Sequence, residues 1–142
     1  MPRPMTKAER EEFLAGLHVG VLAIADANGR GPLALPIWYG YEPGGDVTFV
    51  TGRPNRKARL MDMGTRVSLC VQNEGLPYRY VAIEGPVVAI DPASADERRA
   101  LATRYLGPEG GEAYLSATAD FAPIAVTFRV RPERWRTQDF SE

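Results

Sequence analysis

Phe13, Leu14 and Leu17 recur at helical spacing near the start of the chain, and Thr6 is followed three residues later by Glu9 in a capping-box pattern. The spacing predicts a short amphipathic helix over residues 7–17. Residues 19–25 are apolar and β-branched and read as a strand. The turn DANGRG at 26–31 contains Asn28-Gly29, a strong hairpin signal. Residues 32–41 form the returning strand, in which Pro36 points to an edge, a bulge or a strand start. A second turn, EPGGD at 42–46, leads into a third strand, VTFVT at 47–51. Two tight hairpins in succession give an antiparallel meander.

Gly52-Arg53-Pro54 breaks that strand, and residues 55–63 read as a short helix. Residues 66–72 (RVSLCVQ) are a fourth strand and 73–77 a loop. Residues 78–90 are a long fifth strand, interrupted by a bulge at Gly85-Pro86. Asp91-Pro92 has the form of a helix start, with Asp as N-cap and Pro in the first turn. That helix runs to about Leu106, with Leu101, Ala102 and Tyr105 on one face, and residues 107–120 are less regular. Residues 123–130 (PIAVTFRV) make a sixth strand, and the tail RPERWRTQDFSE follows. Six strands with two or three small helices predict a mainly β fold, a closed or nearly closed antiparallel barrel forming one domain over 1–142.

The totals narrow the chemistry. The 142 residues suffice for one domain with a real core, and the formal net charge of −1 gives no general affinity for nucleic acid or membrane. Any anion site must be a local cluster. Cys70 is the only cysteine and His18 the only histidine, which excludes an intrachain disulfide and argues against a His-based zinc centre or a Ser-His-Asp triad; no metal is expected. Residues 1–6 lack an apolar signal core and no apolar run is long enough to span a bilayer, so the expected location is the cytoplasm.

The segment from Phe49 to Ala58 carries the most chemistry. A strand ends, a Gly/Pro turn follows and a helix begins. Arg53, Arg56 and Lys57 gather there with the Thr51 hydroxyl and the Asn55 amide. Free N–H groups and partial positive charge at a helix start, with cations added, suit a phosphate. A solvated basic turn has the same local pattern, and the residues of the turn alone do not choose between the two.

The order of the surrounding elements resembles the pyridoxamine 5′-phosphate oxidase-like family. The resemblance is carried by Phe49-Val50-Thr51, then Asn55-Arg56-Lys57-Ala58, then Arg66-Val67-Ser68-Leu69, then Arg79-Tyr80-Val81 through Glu84-Gly85, and it covers roughly residues 19–131. It implies a six-stranded antiparallel split β-barrel working as a homodimer, with the cofactor at the dimer interface. It further implies that Thr51, Arg53, Asn55, Arg56 and Lys57 hold a phosphate, that Leu35, Pro36, Ile37 and Trp38 lie along a flavin ring, and that Arg79 and Tyr80 reach the cofactor from the same or the second subunit. Trp135 and Arg136 would help close the site.

Three departures from the family pattern matter. Asn55 stands where Ser is commoner, Ala34 and Leu35 stand where an Arg often begins the flavin-binding strand, and the Arg-Leu-x-Pro ending that recognises the vitamin substrate is missing. Oxidation of pyridoxamine phosphate itself is therefore not expected. Pro36-x-Trp38-Tyr39, Asn55-x-Lys57-Ala58 and Val81-x-Ile83-Glu84-Gly85 look more like the actinobacterial branch, whose members use the deazaflavin F420 or FMN. The implied activity is hydride transfer to or from a small conjugated organic substrate, with a non-catalytic carrier of the cofactor as the alternative.

Other residues read more plainly. Tyr39 and Tyr41 belong to the core or an interface, while Trp38 suits core and ring contact equally. Cys70 reads as a small buried residue, His18 as a surface or capping group, and Glu84 as a salt-bridge partner. Arg98, Arg99 and Arg104 read as a solvated helix face. No paired carboxylates suggest acid–base catalysis, so no catalytic side chain is assigned; in flavin chemistry the cofactor carries the hydride.

Overall fold

Alternation of buried and exposed residues builds the sheet. In the computed structural model, which describes residues 1–141, the elements run α1 (Lys7–Ala15), β1 (Gly20–Ile24), β2 (Leu33–Ile37), β3 (Val47–Gly52), α2 (Arg56–Arg59), β4 (Arg66–Asn73), β5 (Arg79–Pro92), α3 (Ala95–Ala117), a 3-10 turn (Ala119–Ile124), β6 (Ala125–Val130) and β7 (Arg134–Asp139). Every strand pairing is antiparallel. The path is β2-β1-β4-β5-β6-β3, with β7 added to β5 off that path.

The long strand β5 makes the barrel split. Residues Arg79 to Pro86 pair with β4, and Val87 to Pro92 pair with β6, with a register shift between Val87 and Ala89. One strand thus serves two sheet halves, curling them around a common core of Leu22, Leu69, Val81, Ile83, Phe49 and Phe128. Gly85 permits the turn: a Cβ there would lie 1.7 Å from the Arg131 carbonyl oxygen, so only glycine fits beneath the returning chain. The product is a mainly β, antiparallel split barrel with short helices. Among the described residues, no helix is long and apolar enough to cross a membrane.

The first helix is capped as expected, with Thr6 and Glu9 reciprocally bonded. Pro36 lies on the edge strand β2, where its missing N–H costs no ladder bond. Four expectations are corrected. Asp91 and Pro92 are not a helix start: they stay in β5 opposite Thr127 and Val126, and the cap is Ser94, in a full capping box with Glu97. The helix after the basic turn is one turn only: it ends at Arg59, with Leu60 as its C-cap, and Met61 beyond it is buried in the core. Residues 108–117 are helical, continuing α3 past a kink at Gly107 (φ 78°), with Pro108 tolerated at the new first turn. The tail supplies a seventh strand, β7, which pairs along β5 from Arg79 to Glu84.

Side-chain parity corrects one more reading. Val67, Leu69 and Val71 face inward, so Cys70 faces outward and is exposed. Trp135 is partly buried and packs against the core, edge-on to Tyr41 with Arg10 over its ring. Glu84 does form the expected ion pair, at 2.8 Å from Arg66.

Candidate functional site

The basic turn divides its residues between structure and chemistry. Thr51 is 2% exposed, and its hydroxyl accepts a bond from the Asn55 amide at 3.1 Å. Those two groups therefore brace the turn against each other. The Arg53 side chain is exposed, while its backbone N–H donates to the Ile124 carbonyl at 2.8 Å. The Arg56 guanidinium bonds Asp26 in the β1–β2 turn. Lys57 differs from its neighbours. It is half-buried, it forms no ion pair among the described residues, and burial pushes its pKa below the ordinary lysine value.

Lys57 faces a cavity of about 350 Å³, a volume ordinary for a small-molecule site. One wall is the end of β2 with Pro36, Ile37 and Trp38, continued by Val19, and Val50 of β3 lies between that wall and the helix. The roof is α3, which contributes Arg98, Leu101 and Ala102 before its kink and Tyr114 after it, with Phe121 following from the 3-10 turn. No carboxylate and no histidine lines the cavity.

The roof is fixed at several points. Gly111 lets the second half of α3 fold back on the first, since a Cβ there would meet the Thr103 nitrogen at 3.0 Å. The Arg99–Glu112 pair at 2.8 Å joins the halves. Trp38 stacks on Tyr105 with ring centroids 5.0 Å apart and planes 6° from parallel, and it meets Tyr114 at 5.3 Å. The Tyr105 hydroxyl donates to the His18 carbonyl at 2.6 Å and accepts from the Tyr39 backbone N–H at 3.1 Å. Trp38 is thus both a packing residue and a wall, and it is held rigidly as a wall. Stacked aromatic pairs of this kind contribute about 0.5–1.5 kcal/mol beyond area burial.

Of the residues expected at a site, Pro36, Ile37, Trp38 and Lys57 come together around this cavity. Leu35 does not line it. Arg79 and Tyr80 do not line it either. Arg79 sits over the Phe13 ring at 5.2 Å, beside a separate cleft that also holds His18. His18 caps the end of α1, its Nε2 3.0 Å from the Phe13 carbonyl, and burial lowers its pKa.

Arg98 and Arg104 are not on a solvated face. Arg98 enters the cavity, and Arg104 donates to the Gly16 carbonyl at 2.6 Å. The sequence held the signal for Arg98: with Leu101, Ala102 and Tyr105 it occupies positions i, i+3, i+4 and i+7, the inward stripe of the helix. Tyr114 and Phe121 carried no such signal, because the kink decides where they land.

The arrangement offers two cations, Lys57 and Arg98, beside flat aromatic and aliphatic walls. That donor set fits a phosphorylated, planar ligand and does not fit a metal; among the described residues no cluster of three His, Cys, Asp or Glu could hold one. The sequence matches the pyridoxamine 5′-phosphate oxidase family over residues 6–139, nearly its whole length. The chain belongs to that family. An F420 reductase structure is similar over 89% of this chain and 94% of that one, at 27% identity and a TM-score of 0.72. A conserved hypothetical protein of Mycobacterium tuberculosis aligns over 96% of this chain and 86% of its own, at 24% identity and a TM-score of 0.72. An FAD-binding protein of Mesorhizobium loti aligns over 100% and 98%, at 23% identity and a TM-score of 0.69. The last two likenesses establish the fold alone. No curated protein matches the chain.

Proposed function

We propose that this member of the oxidase family is a homodimeric oxidoreductase that holds F420 or FMN in the cavity beneath α3 and transfers hydride to or from a small conjugated organic substrate. The observation that carries the reading is Lys57: a half-buried ammonium without a carboxylate partner, facing a cavity walled by Trp38. An unpaired cation in such surroundings is costly, and an anionic occupant offsets that cost. The similarity to an F420 reductase supports the same class of cofactor.

A bound flavin or deazaflavin supplies the hydride chemistry. The chain's residues bind, orient and exclude water. Lys57 holds the phosphate as a point charge, with the turn braced by Thr51 and Asn55. Pro36, Ile37 and Trp38 give the ring a flat, dry wall. Leu101 and Tyr114 of the roof keep water from the reacting face.

A second copy of the chain completes the unit. The outer face of the sheet carries the cross-strand row Pro36, Val21, Cys70 and Ala82, and Val21 is 45% exposed there. Packing this face against its equivalent buries that row, and it is the route by which Arg79 and Tyr80 of the other copy would reach the cofactor.

The test is a fluorescence titration of the purified protein with FMN and F420 side by side, followed by turnover with quinone and enone acceptors. Tight binding with turnover supports the reading. Tight binding without any turnover makes the protein a cofactor carrier. If neither cofactor binds, the functional reading fails and the barrel stands.

A further inference from the structure

The turn expected to hold the phosphate delivers only one cation to the cavity. Arg56 is committed to Asp26, and the Arg53 side chain is exposed and does not line the cavity. A single ammonium is a thin receptor for a phosphate. A second cation does enter the cavity, from an element distant in sequence: Arg98 of α3.

Three features mark Arg98 as poised for an anion. First, it forms no ion pair among the described residues, and its nearest acidic neighbour in sequence, Glu97, is already committed to Arg129 at 2.8 Å and to the Ser94 N–H at 3.0 Å. Second, it lies in the first turn of α3, where a cation opposes the helix dipole unless an anion is close. Third, it is pre-oriented. One nitrogen, Nη2, donates to the Thr118 carbonyl at 3.3 Å and hydroxyl at 3.1 Å, and the guanidinium lies over the Phe121 ring at 5.6 Å. Nε and Nη1 have no hydrogen-bond partner among the described residues.

The same group links the roof to the basic turn. Phe121, beneath Arg98, packs so closely on Gly52 that a Cβ at Gly52 would sit 3.0 Å from its Cε1. Gly52 begins the turn that leads to Lys57. Roof and turn therefore meet beside the cavity that both cations line.

We infer that Lys57 and Arg98 together form the anion receptor of this cavity, a two-cation site assembled from α2 and α3 that grips the phosphate of the cofactor, while Arg56 ties the turn to Asp26 and the Arg53 side chain stays outside the cavity. The inference rests on the proposed cofactor reading and adds a residue from the roof to it. Arg98 acts as the bidentate partner, Lys57 as the point charge.

The experiment compares each phosphorylated cofactor with its phosphate-free form, FMN against riboflavin and F420 against its riboflavin-like core, on wild type, Arg98→Met, Arg98→Lys, Arg53→Ala and Lys57→Ala. Arg98→Met should reduce the preference for the phosphorylated form by about tenfold or more, and leave affinity for the phosphate-free form unchanged. Arg98→Lys should restore part of it, which a merely structural role would not. Arg53→Ala should change little. The inference is overturned if Arg98→Met keeps the full preference while Lys57→Ala loses it, or if Arg98→Met weakens both forms equally.

Should wild type bind neither cofactor, the same variants are melted in inorganic phosphate and in chloride at equal ionic strength. Stabilisation by phosphate that both Arg98→Met and Lys57→Ala abolish keeps the two-cation site while the cofactor reading falls. No stabilisation of wild type overturns both.

Discussion

Two groups of cations in this molecule have opposite surroundings. On the rim of the sheet, Arg66 bonds Glu84 at 2.8 Å and Glu133 at 2.7 Å, and Arg3 bonds Glu9 at 2.8 Å. The Arg3 guanidinium and the neighbouring Thr6 cap hold Glu9 down at about 2. Under the roof, Lys57 and Arg98 face apolar and aromatic walls with no carboxylate among them. The rim charges already have their partners within the chain, in water, where each pair adds little. The cavity charges lack partners inside a drier environment, where an incoming anion gains more. The position of the unpaired cations, rather than the number of basic residues, marks the site.

The sharpest way to break this comparison is to disturb the assembly that would enclose the cavity. Val21→Glu places an unpaired carboxylate in the middle of the proposed dimer face and should convert a dimer to monomer in sedimentation, with loss of cofactor binding. A dimer that survives the substitution would put the interface elsewhere. Next in size, Lys57→Ala should weaken binding of the phosphorylated cofactor by about 1.5–3 kcal/mol, or roughly 10- to 100-fold. Its melting temperature should stay level or rise, since the substitution removes a desolvated charge. Unchanged affinity would end the phosphate assignment.

A smaller effect follows from pH. The folded-state pKa of Lys57 lies below the ordinary value of 10.5 because burial disfavours its charged form. The charge therefore costs stability below the folded pKa, and that cost is relieved as pH rises toward 10.5. Affinity for the anion runs the other way. It is full while Lys57 is protonated and falls as pH passes the folded pKa, earlier than for an exposed lysine. Titrations between neutral and alkaline pH should show this fall in wild type and not in Lys57→Arg. Smallest of all, Arg66→Ala on the rim should leave cofactor affinity untouched and thermal stability nearly so, the more so at high salt. A large loss of cofactor there would dissolve the contrast between rim and cavity.

Much of this was legible in the chain. The capping box at Thr6–Glu9, the Asn28-Gly29 hairpin, the existence of β3 and β4 and the basic turn after β3 are local features, and local features obey propensity and spacing. The misreadings share a cause. At Asp91-Pro92 a helix-start pattern yielded to pairing with β6, and the true cap, Ser94–Glu97, stood three residues on. Cys70 was misplaced by one step of a period-two pattern, which moves a side chain to the opposite face. The tail was assigned no strand because β7, Arg134–Asp139, has Trp135 as its one apolar residue and becomes a strand only by pairing with β5.

By itself, then, the sequence determined the split-barrel family, from the order of its motifs along the chain, and the turn that carries Lys57, from residues near one another. Only the tertiary structure decided which cations remain without partners. Arg56 is engaged by Asp26, thirty residues earlier, and Arg98, forty-one residues after Lys57, lines the same cavity from the first turn of α3. Pairing and burial of charge depend on what long-range folding brings alongside, and that is where the chemistry of this site was settled.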